Sequence, residues 1–198
     1  VVLAHGLGAD GHDLIDLGLS WSKALPDALF VAPDAPEPNE SSAFGRQWFD
    51  LWDRSPAQLA AAVAVAAADL IGFVDSELTR LGLSADAVAL MGFSQGAMVS
   101  LHAGLHRPVP PRAILAYSGA LLAPPPPASG IWPPVLLVHG EVDGVVRPDA
   151  SIAAAQTLRA AGVPVDLLTI PGLGHGLDDE GLSVGALFLQ RAFSQDSG

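Results

Sequence analysis

Leu90-Met91-Gly92-Phe93-Ser94-Gln95-Gly96-Ala97 decides how the rest of this chain is read. The run Ala87-Val88-Ala89-Leu90-Met91 is apolar and of strand length, and a helical pattern, Met98-Val99-Ser100-Leu101-His102-Ala103, follows directly. A strand that turns at once into a helix crowds its own backbone, and glycine at the flanking positions relieves the collision. Gly92-x-Ser94-x-Gly96 therefore predicts a tight elbow with Ser94 at its apex. Behind Ser94 lies a helix N-terminus, whose unpaired N–H groups and partial positive charge favour a developing oxyanion. In a chain with 21 glycines the pentapeptide alone is a weak signal. Its place between a strand and a helix makes Ser94 the nucleophile candidate.

Working outward from the elbow, strands and helices alternate. Val1-Val2-Leu3-Ala4-His5 reads as a strand, followed by the glycine-rich turn Gly6-Leu7-Gly8-Ala9-Asp10-Gly11. Leu14, Ile15, Leu17, Trp21 and Leu25 are expected to line one side of a short helix, which Gly18 weakens. A strand is expected over 28–32, ended by Pro33, then a long irregular region over 33–56 that carries Trp48, Phe49 and Trp52. Residues 57–81 give the clearest helical spacing, with Gly82 placed as a C-cap. Beyond the elbow, strands are expected over 112–117, 135–139 and 163–170, and helices over 149–161 and 182–193. The four-proline stretch at 123–128 fits neither helix interior nor central strand. This alternation predicts an α/β fold: a mostly parallel sheet of about six or seven strands, helices on both faces, and active residues at the strands' carboxyl ends. With no repeat and no dividing linker, residues 1–198 are expected to form a single domain.

Composition narrows the function classes. Hydrophobic residues make up 50% of the chain, but alanine supplies much of that. The longest apolar stretch, 59–68, is stopped by Asp69 well short of a membrane span, so no stable membrane insertion is expected. A formal net charge of −12, with Lys23 as the only lysine, repels nucleic acid and anionic surfaces. The absence of cysteine excludes disulfides, thiolate metal sites and a cysteine nucleophile. The histidines and aspartates show no metal-site spacing. No secretory leader is visible, and the chain opens at Val1 without methionine, already inside an apolar strand. The default expectation is a cytoplasmic protein whose native N-terminus lies outside this sequence; the oligomeric state is left open.

A serine hydroxyl needs a base to take its proton, and the base needs an anion to fix its tautomer. Val138-His139-Gly140-Glu141-Val142-Asp143 places Asp143 in the loop just past a strand, and Ile170-Pro171-Gly172-Leu173-Gly174-His175 places His175 past the last one. Both then share a sheet edge with Ser94. Among rivals, Asp149 reads as a helix N-terminal residue, and Asp178 and Asp179 sit near the start of the last helix. His102 and His106 fall one turn apart on the elbow helix. His5 and His139 each precede a glycine at a strand end, where they brace loops, and His12 has no assigned role.

Together, Gly92-Phe93-Ser94-Gln95-Gly96-Ala97, His139-Gly-x-x-Asp143 and Gly174-His175 resemble the phospholipase/carboxylesterase family that includes the acyl-protein thioesterases. Ala4-His5-Gly6-Leu7-Gly8-Ala9-Asp10-Gly11 is similar to that family's oxyanion turn, and Trp48-Phe49-Asp50 matches another of its signatures. The chain departs from the family pattern in placing Arg147 before Pro148 after the aspartate loop, and in showing at most one strand ahead of the oxyanion turn. The resemblance implies a compact α/β-hydrolase with chain order Ser94, Asp143, His175 and an oxyanion hole built from the backbone N–H groups of Leu7 and Gln95. It implies a serine hydrolase acting on small-molecule carboxylic esters or thioesters through an acyl-enzyme, with no metal or organic cofactor. Leu121, Leu122, Trp48 and Phe49 are the candidates for the substrate wall, although Trp48 and Phe49 fit a core role equally well. The rigid proline stretch leaves no room for a large lid, so short to medium acyl chains are expected. The alternative is a non-catalytic ligand-binding module on the same fold, a reading that usually shows a damaged triad.

Overall fold

In chain order the elements are β1 (Val2–Ala4), α1 (His12–Ile15), α2 (Leu17–Trp21), β2 (Glu37–Pro38), β3 (Arg46–Gln47) and α3 (Pro56–Leu81). There follow β4 (Ala89–Phe93), α4 (Gln95–His106), β5 (Ala113–Tyr117), β6 (Val135–Gly140), α5 (Asp149–Ala160), β7 (Val165–Ile170) and α6 (Asp179–Ser194). They come from a computed structural model describing residues 1–39, 45–127 and 130–194. Residues 40–44 of the long early region and Ala128 of the proline stretch lie outside the described residues.

Five strands form one sheet in the order β1-β4-β5-β6-β7, and every neighbouring pair is parallel. Each strand therefore ends on the same edge, and the loops bearing Leu7, Ser94, Asp143 and His175 all leave from it. Alternate residues point to opposite faces. Val2, Ala4, Leu90, Ile114, Ala116, Val135 and Leu137 meet α3, α4 and α5. Leu3, Met91, Leu115, Tyr117, Leu136 and Val138 meet α2 and α6 on the other face. Both faces are covered, which is why the central strands read as unbroken apolar runs.

The sheet is smaller than the six or seven strands expected. Segment 28–32 runs beside β1 but makes a single parallel bridge, Val2 to Val31, with Leu3 N–H donating to Val31 O and Val31 N–H to Val1 O. The next rung would need an N–H from residue 33, and Pro33 has none. The early helix is likewise split: α1 and α2 are separate short turns. Gly18 lies so close to Phe30 that a Cβ there would sit 2.9 Å from the Phe30 side chain. The remaining two strands, β2 and β3, form a separate antiparallel pair.

The 26-residue α3 ends as expected on Gly82 in the left-handed conformation (φ 66°). By length and composition this helix is apolar enough to cross a membrane. Its buried residues, Val63, Ala66, Ala67, Leu70, Val74 and Leu78, form one stripe at helical spacing, and that stripe packs in the core.

Candidate active site

At the end of β4 the chain turns into α4 through Ser94, whose backbone sits at φ 54°, ψ −116°. A non-glycine residue held in a sparsely populated region of this kind costs about 1–3 kcal/mol. Its neighbours impose the geometry. A Cβ on Gly92 would overlap the Gly96 carbonyl, and one on Gly96 would overlap the carbonyls of Ala4 and His5. The elbow is thus pressed against the end of β1, as the glycine spacing predicts. Ser94 N–H donates to Tyr117 O at 2.9 Å, tying the elbow to β5 as well.

The Ser94 hydroxyl lies 2.9 Å from His175 Nε2, and His175 Nδ1 lies 2.7 Å from Asp143 Oδ2. An ionised carboxylate only accepts, so Nδ1 carries the imidazole proton and Nε2 is left to accept from Ser94. The Asp143 side chain is fully buried. Its Oδ1 accepts from Val145 N–H at 2.8 Å and Val146 N–H at 3.0 Å. Burial, the largest single influence on this carboxyl, pushes its pKa up. Hydrogen bonds from His175, Val145 and Val146, with the charge of His175, together outweigh burial, and the net shift is downward. Asp143 is therefore an anion at neutral pH. The three residues that the sequence singled out separately form one hydrogen-bonded row.

Two further side chains support that row. Phe93 lies against the His175 ring, with centroids 4.9 Å apart and planes tilted by 44°. His139 Nε2 lies 2.8 Å from Val146 O and 3.3 Å from Asp143 Oδ2, while its Nδ1 lies 2.6 Å from Ser151 Oγ. Both Nε2 partners are acceptors, so Nε2 carries the proton and Ser151 donates to Nδ1. Sequence reading recognised His139 as a loop brace but missed its link to Asp143. The His139–Asp143 spacing of four was the available signal.

Gly6 brings the first turn beside the elbow: a Cβ on it would lie 3.1 Å from Phe93 Cδ1 and 3.4 Å from Ser94 Cβ. Gln95 is the first residue of α4, so its N–H has no intrahelical acceptor. Among the described residues no backbone acceptor takes the N–H of Leu7 either. Two free donors on separate loops thus flank Ser94.

The wall candidates divide. Trp48 and Phe49 are each 4% exposed and belong to the core against α3 and α4, which is the core role left open above. Leu121 and Leu122 are half-buried, Leu122 against that same core and Leu121 against the cluster under α5. A cleft of about 480 Å³ opens beside Leu7 and is lined by Pro38, Leu51 and the 83% exposed Trp52, with Glu37 and Asp50. A second, more apolar groove of about 520 Å³ lies near Val1, Leu25, Leu78 and Phe193; Ser94, Asp143 and His175 are in the lining of neither space. Of the other histidines, His12 is an exposed partner of Asp10 at 3.3 Å, and His102 and His106 stack at 3.9 Å. Among the described residues no group of three or more His, Asp or Glu could hold a metal ion.

Known proteins resemble this chain over most of its length. The family described as Phospholipase/Carboxylesterase matches residues 1–192. Esterase YpfH of Escherichia coli K12 is 31% identical over 182 residues, covering 92% of this chain and 78% of the relative. Acyl-protein thioesterase 1 of Neurospora crassa is 28% identical, over 88% of this chain and 79% of its own. Among solved structures, esterase PE8 superposes with a TM-score of 0.88 at 39% identity, covering 96% of this chain and 91% of its own.

Proposed function

We propose, from the premise that this chain belongs to the phospholipase/carboxylesterase family of α/β-hydrolases and is an esterase, that it cleaves small carboxylic esters or thioesters through a Ser94–His175–Asp143 triad. The observation that carries this reading is the continuous row from Ser94 Oγ through His175 to the buried Asp143 carboxylate. As Ser94 Oγ attacks the acyl carbonyl, its proton passes to His175 Nε2, and the imidazolium is stabilised by Asp143. The carbonyl oxygen becomes an oxyanion held by the N–H groups of Leu7 and Gln95. One such donor is typically worth about 3–4 kcal/mol in the transition state. Collapse of the tetrahedral adduct expels the alkoxide or thiolate, which takes the proton from His175 and leaves an acyl-Ser94 ester. Water, deprotonated by His175, attacks that ester, and the second collapse returns the proton to Ser94 and releases the acid.

The cleft of about 480 Å³ adjoins Leu7, one of the two proposed oxyanion donors, and the proline stretch after Leu122 is too short for a long lid. These features support short to medium acyl chains and varied leaving groups. The chemistry is tested with a fluorophosphonate, which is expected to modify Ser94 alone. Labelling that persists in Ser94→Ala refutes the nucleophile, and undiminished labelling of His175→Ala refutes the base.

A further inference from the structure

Three buried side chains outside the triad join the two loops that carry the oxyanion donors. The Gln95 side chain is 2% exposed; its Oε1 accepts from Trp48 N–H at 2.8 Å and its Nε2 donates to Phe49 O at 2.6 Å. Trp48 in turn donates its indole N–H to His5 O at 2.9 Å. The fully buried His5 ring then closes on the turn: Ala35 N–H donates to Nε2 at 2.9 Å, and Nδ1 lies 2.7 Å from Gly6 O. The Ala35 contact decides the tautomer. A ring nitrogen that accepts from an amide carries no hydrogen, so Nδ1 holds the proton and donates it to Gly6 O.

That last bond, shorter than the 3.3 Å turn bond from Ala9 N–H to the same carbonyl, bears on a donor it does not touch. Gly6 C=O and Leu7 N–H belong to one trans peptide plane and point in opposite directions. Fixing the carbonyl toward His5 therefore fixes the Leu7 N–H on the other side of the plane. We infer that Gln95 (through its side chain), Trp48 and His5 are positioning residues, one buried hydrogen-bonded clamp that sets the Gly6–Leu7 peptide plane and aims Leu7 N–H at the oxyanion. This deepens the proposed function and rests on its assignment of Leu7 and Gln95 as the oxyanion donors. Gln95 holds both ends: its backbone N–H is one donor, and its side chain anchors the segment that orients the other. The peptide of Leu7 is thus held without reorganisation at the moment charge develops, as an effective oxyanion hole requires. It also explains a tryptophan in the core whose one polar atom is spent on a strand-end carbonyl.

The test uses Trp48→Phe, which removes the indole donor together with one ring's volume, and Gln95→Met, which keeps the backbone N–H and core volume and loses both side-chain bonds. For each, kcat and KM on p-nitrophenyl acetate are measured, with the acid limb of the kcat/KM profile and inhibition by an aliphatic trifluoromethyl ketone. The ketone accepts Ser94 Oγ and forms a tetrahedral oxyanion without a leaving group. Because an oxyanion donor is worth on the order of 10²–10³ in kcat, a misaimed one is expected to lower kcat about 10- to 100-fold. KM is expected to stay within about threefold, ketone affinity to fall in parallel with kcat, and the acid limb to keep its midpoint because the triad is untouched. Unchanged kcat and ketone affinity in both folded variants overturns the clamp, as does a loss confined to KM. Leu7→Pro, which deletes the N–H outright, separates the two levels. If it leaves kcat intact, the oxyanion assignment itself fails; if it is severely impaired while Trp48→Phe and Gln95→Met are normal, only the clamp fails.

Discussion

Replacing Asp143 by asparagine changes one atom and tests the direction of every hydrogen bond in the row. The new amide has one favoured orientation, set by two short bonds at Oδ1 against the single, longer approach of His139 Nε2–H to Oδ2 at 3.3 Å. At Oδ1 two N–H groups, from Val145 at 2.8 Å and Val146 at 3.0 Å, demand an acceptor. The amide oxygen takes that position, and the NH₂ group then faces His175 Nδ1, where the carboxylate had accepted at 2.7 Å. To avoid two opposed N–H groups, His175 moves its proton to Nε2. The nitrogen that should accept from Ser94 at 2.9 Å becomes a donor to it, and the base is lost. In Ser-His-Asp triads this tautomer error lowers kcat by about four orders of magnitude, or about 5.4 kcal/mol at 1.36 kcal/mol per tenfold. The assay is kcat on p-nitrophenyl acetate for Asp143→Asn, with Asp178→Asn and Asp179→Asn as controls and circular dichroism to establish folding. Asp178 caps Gly181 N–H at 2.9 Å at the start of α6, so its variant is expected to lose some stability but little turnover. A folded Asp143→Asn enzyme with turnover within tenfold of normal refutes the tautomer argument and the assignment of Asp143.

Gly96→Ala is expected to destabilise the protein by about 1–3 kcal/mol, through overlap with the Ala4 and His5 carbonyls, and to reduce turnover; an unchanged Tm and kcat would show that the elbow does not need its close approach to β1. Stability is expected to fall on mild acidification, because burial and the charge of His106 hold the folded pKa of His102 at about 4, below the ordinary histidine value of 6.5. Between those values the unfolded chain binds more protons, so stability falls as pH falls, and urea unfolding of His102→Gln should show a smaller loss over pH 6.5 to 4. Asp143, held below the usual carboxylate range, adds a separate loss as pH drops through its own depressed pKa. Across acyl esters of increasing length, kcat/KM is expected to rise gradually, each buried methylene contributing about 0.8 kcal/mol, and then to level off. Leu122→Asp should weaken longer esters more than acetate; a sharp optimum at long chains, or equal loss on both, counts against the short to medium acyl preference.

Much of the site is written locally. Gly92, Ser94 and Gly96 encode the elbow within five residues, and Asp143 and His175 stand directly after strands, so parallel topology alone brings them to one edge. What stayed illegible depends on partners far along the chain. Gln95 meets Trp48 and Phe49 across more than 40 positions, and nothing local to either segment announces that pairing. The aromatic pair could not be assigned to core or wall for the same reason: a Trp-Phe sequence is compatible with either until the packed partner is known. Segment 28–32 has the composition of a strand, but its ladder depends on which N–H groups face β1. Only with the register in hand does the missing N–H of Pro33 explain why pairing stops after one bridge.

The linear order of the row also bears on how the protein is made. Ser94 precedes its proposed base, His175, by 81 positions, and among the described residues α6 follows that base. A chain emerging from the ribosome therefore completes the elbow, with its β1 and β5 neighbours, well before any residue that can deprotonate Ser94 exists. During that interval, on the proposed mechanism, the hydroxyl is an ordinary alcohol with no base beside it. On the proposed triad, reactivity requires β7 paired with β6, which brings the His175 loop to Asp143. Chains truncated before β7 lack His175 and, on the proposed triad, are expected to show no ester hydrolysis.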